Sequence, residues 1–143
     1  MDQLEGNKQV VQRAWAAYDA GDEAAFAECV TDDWREHDAG SAVATIVEVR
    51  GSMRMHRAAF PDKRTIIERI VAEGDVVVTH SRTEVTHTGE YFRLAPTGKH
   101  LTLDEMLICR IAGGRIAECW QITSGGFMEQ LTGRKAGTGD NQA

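Results

Sequence analysis

Apolar residues recur at three- and four-residue steps through the first sixty positions and at two-residue steps afterwards. Leu4, Val11, Trp15 and Tyr18 share one helical stripe, widened by Val10 and Ala14. Gly21 is placed to end that helix, and Asp22 to cap a shorter one carrying Phe26, Cys29 and Val30 on its apolar side. Asp32-Asp33 is expected to stop it, leaving Trp34 to His37 as a short extended stretch. Ile46, Val49, Met53, His56 and Phe60 follow a further helical stripe, halted by Pro61-Asp62. Gly51 weakens that helix by about 1 kcal/mol relative to alanine.

From Thr65 the pattern is that of strands. Thr65 to Glu73 turns at Gly74-Asp75 into Val76 and runs on through Glu84 towards His87. Tyr91 to Leu94 is expected to open another strand before the loop at Pro96, Thr97 and Gly98. Leu101 to Ala112 and Arg115 to Thr123 read as a hairpin joined at Gly113-Gly114, and Phe127 to Leu131 as a helical turn. Helices followed by consecutive antiparallel strands define an α+β fold. The simplest packing curls the sheet around the N-terminal helices and leaves a pocket between them. The Leu101–Ile111 strand is apolar on both faces, with Leu103, Leu107, Cys109 and Ile111 on one and Met106 and Ile108 on the other. A sheet with one wet face alternates cleanly, so the second face is expected to pack on another subunit as a sheet-to-sheet homodimer.

Composition narrows the function. The 143 residues suit one domain, taken as 1–133 with a disordered tail at 134–143. A net charge of −6 argues against nucleic acid or an anionic membrane as partner. No apolar run reaches the length of a membrane span and the N-terminus is not signal-like, so a soluble, cytoplasmic protein is expected. Cys29, Cys109 and Cys119 show no metal-ligand spacing. They read as buried small hydrophobes, with a Cys109–Cys119 bridge across neighbouring strands as the alternative. No metal-binding, P-loop or dinucleotide string is present, so neither metal nor cofactor is expected.

Six short strings occur in order: AAFPD at 58–62, EGDVVV at 73–78, THTGE at 86–90, APTGK at 95–99, CRIAGGRIAECW at 109–120 and MEQLTG at 128–133. Together they resemble the SnoaL-like polyketide cyclases of the nuclear-transport-factor-like superfamily, over residues 5 to 133. The resemblance implies a cone-shaped α+β barrel with a deep apolar cavity. It also implies aromatic polyketide-like substrates and ring closure by aldol condensation without metal or organic cofactor. Its base and its two hydrogen-bonding positions map onto Gln121, Leu107 and Glu105. Only Glu105 can exchange a proton; Gln121 can hydrogen-bond and Leu107 can do neither. That departure points away from a standard cyclase and towards the cofactor-independent ring hydroxylases of the same family.

Glu105 is the candidate catalytic acid or base, because its strand parity matches Leu103 and Leu107 and a partly desolvated carboxyl titrates nearer neutrality. Its alternative is an outward carboxylate paired with a surface cation. A strict two-residue turn sets Leu107 opposite Trp120, and a bulge is needed to bring Gln121 to the cavity. Trp120 is therefore a cavity wall or part of the dimer face. His56 is a candidate substrate contact on an apolar stripe, with a core histidine as the simpler reading. The resemblance sets a polar substrate contact near Glu36 or His37, and His37 is taken as the candidate. Expected substrate contacts are thus His37, His56, Leu107, Trp120 and Gln121. The rival functions are an aldol cyclase and a carrier that binds a hydrophobic ligand without turnover. An epoxide hydrolase or isomerase would require a second carboxylate beside Glu105.

Overall fold

The computed structural model describes residues 2–38 and 43–134. Asp2 accepts the amide of Glu5 and starts α1 (Gln3–Ala20), which ends where Gly21 takes the left-handed conformation. Asp22 caps α2 (Glu23–Cys29), and the chain runs directly into β1 (Val30–Asp38). A Thr45/Glu48 capping box opens α3 (Ile46–Ala59). Four long strands follow: β2 (Arg64–Glu73), β3 (Val76–Thr86), β4 (His100–Ala112) and β5 (Arg115–Ser124). The last element is the short α4 (Phe127–Thr132).

The α+β expectation holds, with three local corrections. The second helix stops at Cys29, so the strand after it is longer than Trp34–His37 and includes both Asp32 and Asp33. The sheet order is β1-β5-β4-β3-β2 and β1 runs parallel to β5, so the sheet is mixed rather than wholly antiparallel. Tyr91 and Leu94 form a tight turn rather than a strand: they bridge each other, with Phe92 and Arg93 at φ 46° and 66° between them. Apart from Arg134, the expected disordered tail lies outside the described residues.

The β4–β5 hairpin pairs Ala112 with Arg115 and Ile111 with Ile116, then shifts so that Arg110 faces Glu118 and Leu107 faces Gln121. This is the bulge needed to bring Gln121, rather than Trp120, to the cavity side. The extra residue at Ile116–Ala117 lets both side chains stay buried and turns every later residue of β5 to the opposite face. Gln121 thereby faces inward, and Trp120 lies on the outer surface beside Ile108.

Helices α1, α2 and α3 cover one face of the sheet, and two hydrophobic clusters form beneath them. The larger joins Val10, Val11, Phe26, Trp34 and Met53 to Val77, Leu107 and Cys109. The smaller joins Phe60, Tyr91 and Phe127 to Val85, Leu101 and Leu103. Between Val77 and Val85 the buried side chains of β3 are Thr79, Ser81 and Thr83, and the neighbouring inward residue of β4 is Glu105. A polar band thus divides the core in two. The β3–β4 connection is pinned to the end of α3, where the Thr88 and Gly89 amides both donate to the Ala59 carbonyl at 3.1 and 3.0 Å. Gly89 is required there, since an added Cβ would lie 2.0 Å from the Ala58 carbonyl oxygen.

Candidate functional site

The space between the clusters is a cavity of about 240 Å³, walled mainly by aromatic and aliphatic side chains. Trp15 and Tyr18 reach it from α1, His56 from α3, and Tyr91 and Phe127 from the smaller cluster. On β1 the two-residue alternation delivers Trp34, Glu36 and Asp38 to the lining. Leu103, Glu105 and Leu107 come from β4, and Cys119, Gln121 and Thr123 from β5.

Glu105 is 6% exposed and has two side-chain donors. Thr83 Oγ1 donates to Oε1 and Gln121 Nε2 donates to Oε2, both at 3.2 Å. Burial pushes its carboxyl up to about 7, against the lowering effects of Lys63 and of the Thr83 hydrogen bond. Glu36 is likewise raised to about 7, by burial and then by the negative Asp38 and Glu105. Near neutral pH this chamber holds two carboxyl groups that each exist in both protonation states.

His56 is the mirror case. Burial and the nearby Lys63 cation hold its imidazole down to about 4, so it is neutral at pH 7. Its Nδ1 lies 2.8 Å from the Tyr18 hydroxyl. Burial and the surrounding carboxylates raise the phenol of Tyr18 well above its ordinary range, which keeps that hydroxyl protonated. Lys63 stands 4.7 Å above the Tyr18 ring with its side chain 6% exposed, ion-paired to Asp19. Among the described residues no group of three or more His, Cys, Asp and Glu side chains is placed to hold a metal ion.

The structure brings four of the six expected site residues to one chamber: Glu105, His56, Leu107 and Gln121. His37 and Trp120 do not line it. Strand parity sends both outward, where the His37 ring stacks on Trp120 with centroids 5.3 Å apart and its Nε2 meets Glu118 at 2.6 Å. In place of His37, β1 brings Glu36, one position earlier, to the cavity. Sequence reasoning also passed over Lys63 and took Tyr18 only as helix core. The available signal was alternation along β1, in which Trp34 as a buried anchor implies Glu36 on the same side. Cys109 and Cys119, the alternative bridge, are free thiols with sulfurs 3.2 Å apart.

A mostly apolar chamber with a few convergent titratable groups is a pocket for a small hydrophobic molecule. The chain belongs to the SnoaL-like polyketide cyclase family, whose profile matches residues 8–131. Its fold is similar to that of AclR from Streptomyces galilaeus, assigned as a hydroxylase, with TM-score 0.82 at 20% identity over 94% of this chain and 85% of that one. IdmH from Streptomyces antibioticus, assigned as a polyketide cyclase, superposes with TM-score 0.76 at 26% identity over 90% of this chain and 99% of that one. An LEH-like epoxide hydrolase from M. tuberculosis shares the fold with TM-score 0.69 at 14% identity, over 86% of each chain. No curated protein matches the sequence. No helix among the described residues is long and apolar enough to cross a membrane.

Proposed function

We propose that the protein is an enzyme that holds an aromatic, polyketide-like molecule in the cavity and moves a proton at Glu105, without a resident cofactor. The observation that carries this reading is the Glu105 carboxyl itself. It is buried in an apolar chamber and oriented by Thr83 and Gln121, and burial pushes its carboxyl up to about 7, the range in which general acid–base catalysis is most effective. Removal of a proton beside a carbonyl leaves an enolate, and the protonated Tyr18 hydroxyl and the neutral His56 are the groups at hand to polarise its oxygen. Leu107 and Gln121 stand at positions where an aldol cyclase of this family is expected to carry ionisable groups. Their presence favours the ring-hydroxylating branch over the cyclase. Glu36 favours a second reading, an isomerase or epoxide hydrolase, because it supplies the second carboxyl on the same chamber.

The outer sheet face supports a homodimer. Met106, Ile108, Trp120 and Ile122 are 56, 43, 39 and 64% exposed and adjoin one another on β4 and β5. Such a contiguous apolar surface is what a second copy would cover.

The deciding experiment incubates wild type and Glu105→Gln with an anthracycline-type aromatic ketone and follows product and dioxygen consumption. Turnover should fall at least about a hundredfold in the variant while ligand binding, read by Trp fluorescence, persists. Unchanged turnover refutes the role of Glu105, and binding without turnover in the wild type leaves a carrier.

A further inference from the structure

The polar band continues beyond Glu105 to the edge of the sheet. Thr83 Oγ1 lies 3.2 Å from Glu105 Oε1 and 3.3 Å from Thr65 Oγ1, its register partner on β2. Thr65 Oγ1 lies 2.9 Å from Asp19 Oδ1 and 3.3 Å from Lys63 Nζ, and the Thr65 amide donates to Asp19 Oδ2 at 2.7 Å. Lys63 Nζ closes the row by donating to Asp19 Oδ1. Asp19 is 17% exposed at its side chain and sits at the last turn of α1, beside the edge strand β2.

We propose that Thr83 and Thr65 form a proton relay between Glu105 and Asp19, so that Glu105 exchanges its proton with solvent through the sheet edge. The proposal deepens the reading of Glu105 as an acid–base group and rests on it. Each threonine hydroxyl has one proton to give and lone pairs to receive one, which suits a chain with two polarities. With Glu105 ionised, Lys63 donates to Thr65, Thr65 to Thr83, and Thr83 to Glu105. With Glu105 protonated, Glu105 donates to Thr83, Thr83 to Thr65 and Thr65 to Asp19, while Lys63 donates to Asp19. Passing from the second state to the first moves one proton: it leaves Glu105, each hydroxyl gives one and takes one, and Asp19 receives one and yields it to water. No other covalent bond changes. The oxygen–oxygen separations at Thr83 are long for hydroxyl donors and must shorten as the proton passes.

The groups that set the field on this row are Lys63 and Asp19 at its outer end, and Tyr18, Glu36 and Asp38 around the cavity. The rival path is the cavity mouth. Neither Thr65 nor Asp19 lines the chamber, so substituting them leaves that path as it is.

The test needs no substrate. The carboxylic C=O stretch of protonated Glu105, identified by its loss in Glu105→Gln, is followed by infrared absorption after a pH jump across neutrality. Thr65→Val should slow the approach to equilibrium by about tenfold or more without moving the midpoint, a barrier difference large enough to read directly. Thr65→Ser, which returns the hydroxyl, should restore the wild-type rate. Thr83→Val should slow it too, and should raise the midpoint because the ionised carboxylate loses a donor. If Thr65→Val does not fold, Asp19→Asn should slow exchange likewise, since an amide still accepts hydrogen bonds but takes up no proton, and should lower the midpoint because the Asp19 charge that raises the Glu105 carboxyl is lost. Wild-type rates in Thr65→Val or Asp19→Asn overturn the relay, and so does a Thr65→Ser variant that stays slow. Because turnover plays no part in this readout, Glu105→Gln retaining activity would refute the catalytic role and leave the relay result standing.

Discussion

Replacing Glu105 by Gln should make the protein more resistant to unfolding above neutral pH, while leaving it little changed in acid. In the folded chain the carboxyl is pushed from its ordinary 4.5 up to about 7, so the folded state holds the proton more tightly than the unfolded state does. Stability that is complete below 4.5 is therefore lost as pH rises through 7. At about 1.4 kcal/mol for each pH unit, the ionised carboxylate costs the folded state about 3 kcal/mol in full, most of which falls between pH 5 and 8. His56 acts in the opposite sense. Its imidazole is held down to about 4 from 6.5, so its contribution is present above 6.5 and lost as pH falls towards 4. The two slopes overlap between 4.5 and 6.5, and subtracting the variant from the wild type removes that of His56. Removing the charge of Glu105 also relieves Glu36, so the measured difference belongs to the pair. Urea unfolding followed by Trp fluorescence at pH 5, 6, 7 and 8 reads it out. With a slope of about 2 kcal/mol per molar urea, the midpoint gap between variant and wild type should widen by about 1 M from pH 5 to 8. Midpoints that run parallel over this range refute the burial argument for Glu105.

Gly89→Ala drives a methyl group into the Ala58 carbonyl, and should lower stability by about 2–3 kcal/mol or displace the β3–β4 connection, as a thermal melt will show. Tyr18→Phe removes the partner of His56 Nδ1 and should cost about 1 kcal/mol, a fall of about 2–4 °C in Tm. Trp120→Glu and Ile122→Glu place charges on an exposed face, so each should keep the monomer fold by circular dichroism while sedimentation shifts from dimer to monomer. A wild type that already sediments as a monomer at micromolar concentration refutes the dimer.

Much of this architecture is legible in the sequence, because burial on one face writes a period into the chain. The stripe Ile46–Val49–Met53–His56 predicts α3 and its inward face, and the alternation around Glu105 predicts the side of β4 that meets the cavity. What stays hidden is set by pairing over long distances. The offset between Glu36 and His37 follows from alternation once Trp34 is known to face inward, and that facing depends on β1 docking in parallel against β5, a pairing no local pattern encodes. The inward turn of Gln121 depends on a bulge, for which alternation allows two answers. Lys63 and Asp19 look like ordinary surface charges until the fold brings together residues 44 positions apart and buries them.

The sheet order bears on how the chamber is assembled. Strands β2 to β5 follow one another as neighbours, with short turns at Gly74-Asp75 and Gly113-Gly114 between the first and last pairs. β1 pairs with a strand about 80 residues further along, and closing a loop of that length costs ~4 kcal/mol of chain entropy before any contact rewards it. The meander is therefore expected to form first and β1 to dock late, and pulse-labelled hydrogen exchange should protect β3–β5 amides before those of β1. β1 carries Trp34, Glu36 and Asp38, so the acidic wall of the chamber is the last to arrive. A chain stalled short of that step would leave Leu107, Cys109 and Cys119 open to water, and such exposed strands are where aggregation during folding would begin.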